Sequence, residues 1–185
     1  MTRKNSNYYV ALTLLILCIM LSMNAISQSG NSVNTTGELK QWHKVTLTFE
    51  GPESAESSPA NPFLDYRMNV TFTKGNKSVV LPGYYAADGN AGNSGSESGN
   101  KWRCHFSPSE KGEWTWSASF RKASNIAVDD QLMAGEACGF DGEKGSFNIA
   151  SSNKEAPDFR AKGMLQYTGE HYFQFKQTKE YFLKG

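Results

Sequence analysis

The feature that most constrains the fold is a strict alternation of apolar and polar side chains between residues 64 and 72. The apolar positions are Leu64, Tyr66, Met68, Val70 and Phe72, and polar residues separate them. Successive side chains of an extended strand point to opposite faces, so this pattern predicts one buried face and one solvated face. Half-buried strands of this kind are typical of antiparallel sheets.

The same period of two recurs along the chain, and Gly, Pro and Asn turns separate the repeats. It occurs in residues 43–50, 78–86, 101–106, 113–120 and 145–150. The strand at 113–120 puts Trp114, Trp116 and Phe120 on one face, which favours burial of both indoles. We therefore predict an all-β fold, an immunoglobulin-like antiparallel β-sandwich over residues 38–150.

The first 27 residues have the pattern of a secretory signal peptide. Arg3 and Lys4 precede an apolar stretch from Val10 to Leu21, and small residues, Ala25 and Ser27, follow it. The stretch is shorter than the roughly 20 residues that span a bilayer, so we expect no stable membrane anchor after cleavage. The pattern predicts export to the periplasm, the cell surface or the medium. Residues 28–37 are rich in Ser, Asn and Thr and predict a disordered lead-in.

Charge and cysteine usage narrow the classes of function. The chain carries 19 Lys and Arg against 18 Asp and Glu, and loss of the leader removes only Arg3 and Lys4 from this balance. There is no basic stripe for nucleic acid. No His or Cys pair has zinc-ligand spacing, so we predict neither a metal site nor a cofactor. An exported chain could join Cys104 to Cys138, but Cys104 is equally suited to be a small core residue on the face of Trp102.

Candidate chemistry is sparse. The three histidines and the scattered acids form no recognisable catalytic pair or nucleophile motif, so we expect this chain not to be an enzyme. Sugar binding is an alternative, since aromatic faces often stack on sugars; Trp42, Tyr84 and Tyr85 are the candidates. The glycine-rich loop at 88–100 offers oxygen ligands that suit calcium, although loops of Gly, Asn and Ser usually bind nothing.

The last segment, residues 171–185, predicts a β-hairpin. An alternating strand at 171–175 is followed by a polar turn and by a second apolar run at 181–183. We assign residues 151–185 to a linker and the start of a further domain. The apolar run would be an exposed edge without a partner.

Five segments together resemble a known family. They are "ELKQWHKVTLTFEGP", "NPFLDYRMNVTFT", "LPGYYAADGNA", "GNKWRCHFSPSEKGEWTWSASF" and "KGMLQYTGEHYFQFKQTKEYFLKG". In this order they look like the immunoglobulin-like N-terminal domain of unknown function that precedes the (β/α)8 barrel in exported bacterial glycoside-hydrolase-like proteins.

The resemblance implies a non-catalytic accessory module whose main partner is its own C-terminal (β/α)8 barrel, with the chain truncated where that barrel begins. It also implies that the loop carrying Asp88, Asn90 and Asn93 could reach the rim of the barrel's cleft. Two alternatives remain open: a carbohydrate-binding module that holds a polysaccharide, and a secreted, adhesin-like interaction domain.

Overall fold

The computed structural model describes residues 33–131, 133–169 and 171–183, and nearly all of their regular structure is antiparallel β. In chain order the strands are β1 (Asn34–Thr36), β2 (Val45–Ala55), β3 (Tyr66–Lys74), β4 (Lys77–Pro82), β5 (Tyr84–Tyr85), β6 (Ser98–Phe106), β7 (Gly112–Lys122), β8 (Glu136–Ala137), β9 (Lys144–Ile149), β10 (Leu165–Tyr167), β11 (Phe173–Phe175) and β12 (Tyr181–Phe182). The helical pieces are α1 (Ala91–Ser94) and the 3-10 turns Ile126–Val128 and Phe159–Lys162.

Two antiparallel sheets form the sandwich. The first sheet has the order β1-β2-β6-β5, and the second has the order β4-β3-β7, with β8 and β9 both paired to β7. This confirms the predicted all-β sandwich, while its immunoglobulin-like character stays a prediction. The predicted signal peptide lies outside the described residues. No helix within the described ranges has the length and apolarity needed to cross a bilayer.

Aromatic side chains from both sheets fill the core between them. Phe72 of β3 stacks on Phe106 of β6 with ring centroids 4.1 Å apart, and Trp102 meets Phe120 of β7 edge-on at 4.7 Å. Trp102 and Phe120 are essentially fully buried. These positions are the apolar half of the period-two pattern, so the alternation in the sequence sets which face of each strand is buried.

The chain passes from one sheet to the other at Pro82-Gly83. Residues up to Pro82 pair with β3, and Tyr84 already pairs with Arg103 of β6. The sequence pattern predicts one interrupted strand here, whereas the structure has two short strands in different sheets. Gly83 permits the passage because its backbone lies against the side chain of Met68.

The structure also differs from the prediction at the two ends of β2. The alternation predicts a strand that ends at Glu50, but β2 continues to Ala55 through a bulge between Glu50 and Ser54. The bulge interrupts the ladder around Pro52, which has no N–H to donate. The described end of the predicted disordered lead-in, Asn34–Thr36, pairs with β2, because strand pairing needs only backbone groups.

A separate three-stranded antiparallel meander, β10-β11-β12, follows the sandwich. The pairing of β11 with β12 confirms the predicted hairpin. The third strand, β10, was not predicted, because three residues are too few to show an alternation.

Candidate functional site

An open groove of about 300 Å³ lies on the outer face of the first sheet, beside the glycine-rich loop. Lys44, Tyr84, Arg103 and His105 line it from the sheet, and residues 89–93 line it from the loop. Tyr84 lies opposite Arg103 on the neighbouring strand, so the two side chains share a face of the sheet. The strand register therefore brings an exposed ring and basic side chains to one place.

A hydrogen-bonded chain fixes the tyrosine ring in this groove. The Tyr84 hydroxyl lies 3.0 Å from His105 Nε2, and Thr46 Oγ1 lies 2.9 Å from His105 Nδ1. Burial lowers the pKa of His105, and the positive charges of Lys44 and Arg103 lower it further. The imidazole is therefore neutral at pH 7, with one nitrogen donating a hydrogen bond and the other accepting one.

The cations of the groove are not neutralised by a close acid. Neither Lys44 nor Arg103 has an ion-pair partner within 4 Å among the residues that the structure describes. Arg103 Nε donates to Thr48 Oγ1 at 3.2 Å. On the next rung of the ladder, by contrast, Glu50 is paired with Lys101. The groove therefore lies on the cationic part of an otherwise balanced face.

Side chains of the loop beside the groove form hydrogen bonds within the loop itself. The Asp88 carboxylate accepts the N–H of Asn90 at 2.7 Å, and Asn93 Nδ2 donates to Asn90 Oδ1 at 2.9 Å. The pKa of Asp88 is lowered, mainly by the Ser94 hydroxyl, then by the Asn90 N–H and by the charge of Arg103. No group of three His, Cys, Asp or Glu in the described segments is arranged to hold a metal ion. The Asp88 carboxylate is thus occupied by hydrogen bonds within the loop.

The three predicted sugar-binding aromatic residues lie in different environments in the structure. Tyr84 is 43% exposed and lies in the groove with Asn90 and Asn93. Tyr85 also borders the groove, but it is only 5% exposed and its hydroxyl donates to the Ser54 carbonyl at 2.5 Å, so little of its ring faces solvent. Adjacent strand residues face opposite ways, so only one of the two tyrosines can be outside. Trp42 is half-buried next to Pro108 and does not line the groove.

Both cysteines predicted as a candidate disulfide are free thiols in the structure. Cys104 faces the core from β6 with its Sγ 3.9 Å from the Leu81 carbonyl oxygen, and burial raises its pKa to about 12. Cys138 lies beside β7, with its Sγ 3.7 Å from the Phe120 carbonyl oxygen. Of the two alternatives for Cys104, the structure therefore agrees with the small core residue.

Sequence reasoning left out Lys44, Arg103 and His105 as groove residues. The sequence does show that they point outwards, since Arg103 and His105 alternate with core residues of β6 and Lys44 directly precedes the buried Val45 of β2. It does not show their neighbourhood, because that depends on the pairing of Thr46 with His105 and of Tyr84 with Arg103. That register is a property of the folded sheet.

A second polar cluster joins the segment before β2 to the segment after β9. The buried His43 places Nε2 3.1 Å from Ser152 Oγ and Nδ1 3.3 Å from a carboxylate oxygen of Glu38. Glu38 also pairs with Lys40 and Lys154, and the pKa of its carboxyl is about 2, chiefly because of the Lys40 hydrogen bond. We call this the clasp. It holds the two ends of the sandwich together.

Comparisons with known proteins match part of the chain to one family model. Residues 38–121 match the family described as "Domain of unknown function (DUF5060)", from just before β2 to the end of β7. The solved structure of a candidate glycoside hydrolase from Bacteroides vulgatus ATCC 8482 is similar to this chain, with 23% identity and a TM-score of 0.49. The similarity covers 77% of this chain and 20% of that protein, so the chain spans about a fifth of its length. No curated protein sequence matches the chain.

Proposed function

We propose that the chain is a non-catalytic accessory module of an exported, carbohydrate-active protein and that it packs against the catalytic (β/α)8 barrel of that protein. The observation that carries the proposal is an exposed aromatic face on the β10-β11-β12 meander. The part of this face that solvent reaches consists of Leu165, Tyr167, Phe173 and Phe182.

The register of the meander puts these side chains together. Tyr167 lies opposite Phe173, which in turn lies opposite Phe182, so the three rings share a face. Phe175 follows on the same face and is buried against Phe159, with ring centroids 5.5 Å apart. Tyr167 remains 62% exposed and Phe173 remains 48% exposed. Contiguous apolar surface of this kind marks an interaction site rather than a finished core.

The surrounding contacts hold this face in a defined position. Lys162 pairs with Glu180 and lies over the Phe175 ring, 5.6 Å from its centroid. The clasp fixes the chain at Ser152 against His43, where it leaves the sandwich. Because these contacts hold both the aromatic face and the chain segment that leads to it, we expect the partner to bind this face without rearrangement.

The sequence resemblance supports a barrel as the partner, since the resembling domains precede one. Four carboxyl groups have structural partners: hydrogen bonds lower the pKa values of Glu38, Asp65, Asp88 and Asp158. A general acid for glycoside hydrolysis needs a raised pKa, so these four are suited to holding the fold and not to that step.

The test begins with the coding DNA beyond Gly185. We expect an open reading frame of a few hundred codons with acidic residues at the ends of barrel strands, and an immediate stop codon would overturn the proposal. In the full-length protein, replacing Tyr167 and Phe173 by Ser should lower the barrel's melting temperature and its turnover. The matched control replaces Val79 and Val80, which are exposed on β4, by Ser. An equal effect of both pairs would refute docking through the meander.

A further inference from the structure

The groove around Tyr84 combines three chemical features that together define a ligand class. One is an exposed aromatic ring, the second is a pair of cations, and the third is a set of amide groups on the adjacent loop. No residue of this groove belongs to the meander, so what the groove binds does not depend on the docking role proposed above.

The exposed ring of Tyr84 is held in a position where a sugar ring can stack on it. Tyr84 is 43% exposed, and the chain from Thr46 through His105 holds its hydroxyl in place. A fixed aromatic ring loses little conformational entropy when a flat apolar face packs on it. The C–H face of a pyranose ring is such a surface.

The cations point to a negative charge on the ligand. Arg103 lies opposite Tyr84, and Lys44 continues the same face of β2. A Cβ atom built on Gly89 would lie 3.7 Å from Arg103 Nη2, so the guanidinium sits at the wall of the groove. Asp88 supplies one opposing charge, which is engaged by the Asn90 N–H and by Ser94. Two cations against one occupied carboxylate leave the groove positive, and arginine favours carboxylates through paired hydrogen bonds.

The loop supplies groups for hydroxyls. Asn93 Nδ2 already donates to Asn90 Oδ1, which leaves the Asn93 carbonyl oxygen to accept and the Asn90 amide to donate. A few fixed polar groups beside an apolar surface are the usual composition of a small-molecule site. We infer that the groove binds an acidic saccharide, with a hexuronic acid ring on Tyr84, its carboxylate at Arg103 and Lys44, and its hydroxyls at Asn90 and Asn93.

Titration calorimetry of the 185-residue chain tests this inference with trisaccharides of galacturonate, glucuronate and mannuronate. Their methyl esters, which have no charge, and inorganic phosphate serve as comparison ligands. We expect at least one acidic trisaccharide to bind, its methyl ester to bind roughly tenfold more weakly, and phosphate to bind more weakly still.

The variants separate the three features. Arg103→Ala and Tyr84→Ala should each weaken binding roughly tenfold or more, whereas Tyr84→Phe should retain most of it because the ring remains. Lys111→Ala and Tyr172→Ala remove an exposed cation and an exposed ring elsewhere and should leave binding unchanged. Lys44→Ala, at an exposed position, tests the charge without disturbing the fold.

Three results would overturn the inference. They are no binding of any acidic trisaccharide, equal binding of acids and esters, and phosphate binding as tight as that of the saccharides. The last would leave a general anion site. None of them bears on docking through the meander, which is tested by barrel stability.

Discussion

Gly83 lies directly against Met68, at the point where the chain changes sheets. Its N–H donates to the Met68 carbonyl at 2.8 Å, and a Cβ atom at Gly83 would lie 2.2 Å from Met68 Sδ. Met68 is almost fully buried, so its side chain has little room to move away. The passage between the sheets therefore depends on a residue without a side chain.

Gly83→Ala should lower the free energy of unfolding by about 1–3 kcal/mol, because the added methyl group overpacks the core. Urea unfolding at pH 7 measures the change. Gly92→Ala is the matched control, since its Cβ would meet open space. Equal unfolding midpoints for the two variants would contradict the contact.

The two adjacent tyrosines should respond differently to loss of the hydroxyl. Tyr85→Phe removes the hydroxyl that donates to the Ser54 carbonyl oxygen at 2.5 Å and lies 3.1 Å from the Gly99 carbonyl oxygen, and it should cost about 1 kcal/mol of stability. Tyr84→Phe removes an exposed hydroxyl and should cost clearly less. Thermal unfolding of both variants under the same conditions gives the comparison, and the reverse order would show that the two faces have been misassigned.

The clasp should make stability depend on pH near neutrality. The pKa of His43 is lowered from 6.5, first by burial and then by Arg160 and Lys154, while Glu38 opposes the shift. The unfolded chain therefore binds the proton more readily than the folded chain. Stability from this group is complete above about pH 6.5 and falls as the pH drops below that value towards the folded pKa. Glu38, with its pKa near 2, stays ionised throughout this window.

Urea unfolding between pH 7.5 and 5 measures that slope. His43→Asn should reduce it, because the variant has no imidazole to protonate at this position. His105, whose pKa is also lowered, accounts for part of the remaining slope. An unaltered slope in His43→Asn would exclude His43 as the source.

The two thiols should differ in reactivity. Cys104 is fully buried and its pKa is about 12, whereas Cys138 is half-buried and its pKa is raised by burial. Iodoacetamide at pH 8 should label Cys138 first and Cys104 only on unfolding, because the thiolate is the reactive form. Peptide mass mapping measures each site. A peptide pair linked through Cys104 and Cys138 would contradict the free thiols.

Much of the sandwich could be predicted from the sequence because its strands are long and half-buried. On β3, β6 and β7 the alternation identifies the core residues, including Trp102, Trp114 and Phe120. Short strands carry no such signal. β1 and β10 have three residues each, and backbone pairing with a neighbour forms them.

The candidate groove was predictable only in part. Tyr84 and the loop residues Asn90 and Asn93 were named separately, but the pattern could not show that they meet. It also could not show which of Tyr84 and Tyr85 is on the outer face, because the alternation does not carry across the change of sheet at Pro82-Gly83. Arg103 and His105 join the groove through cross-strand register, which local sequence does not encode.

The parallel bridge between Lys40 and Ala150 places the start and the end of the sandwich at one corner. Together with the clasp, this bridge keeps the two chain ends of the sandwich close to each other. A domain with adjacent ends can be lifted out of one polypeptide and inserted into a surface turn of another without stretching either. The sandwich is thus a unit that can be transferred, and the graft should be cut before Asn34 and after Lys154, so that β1 and the clasp stay with it.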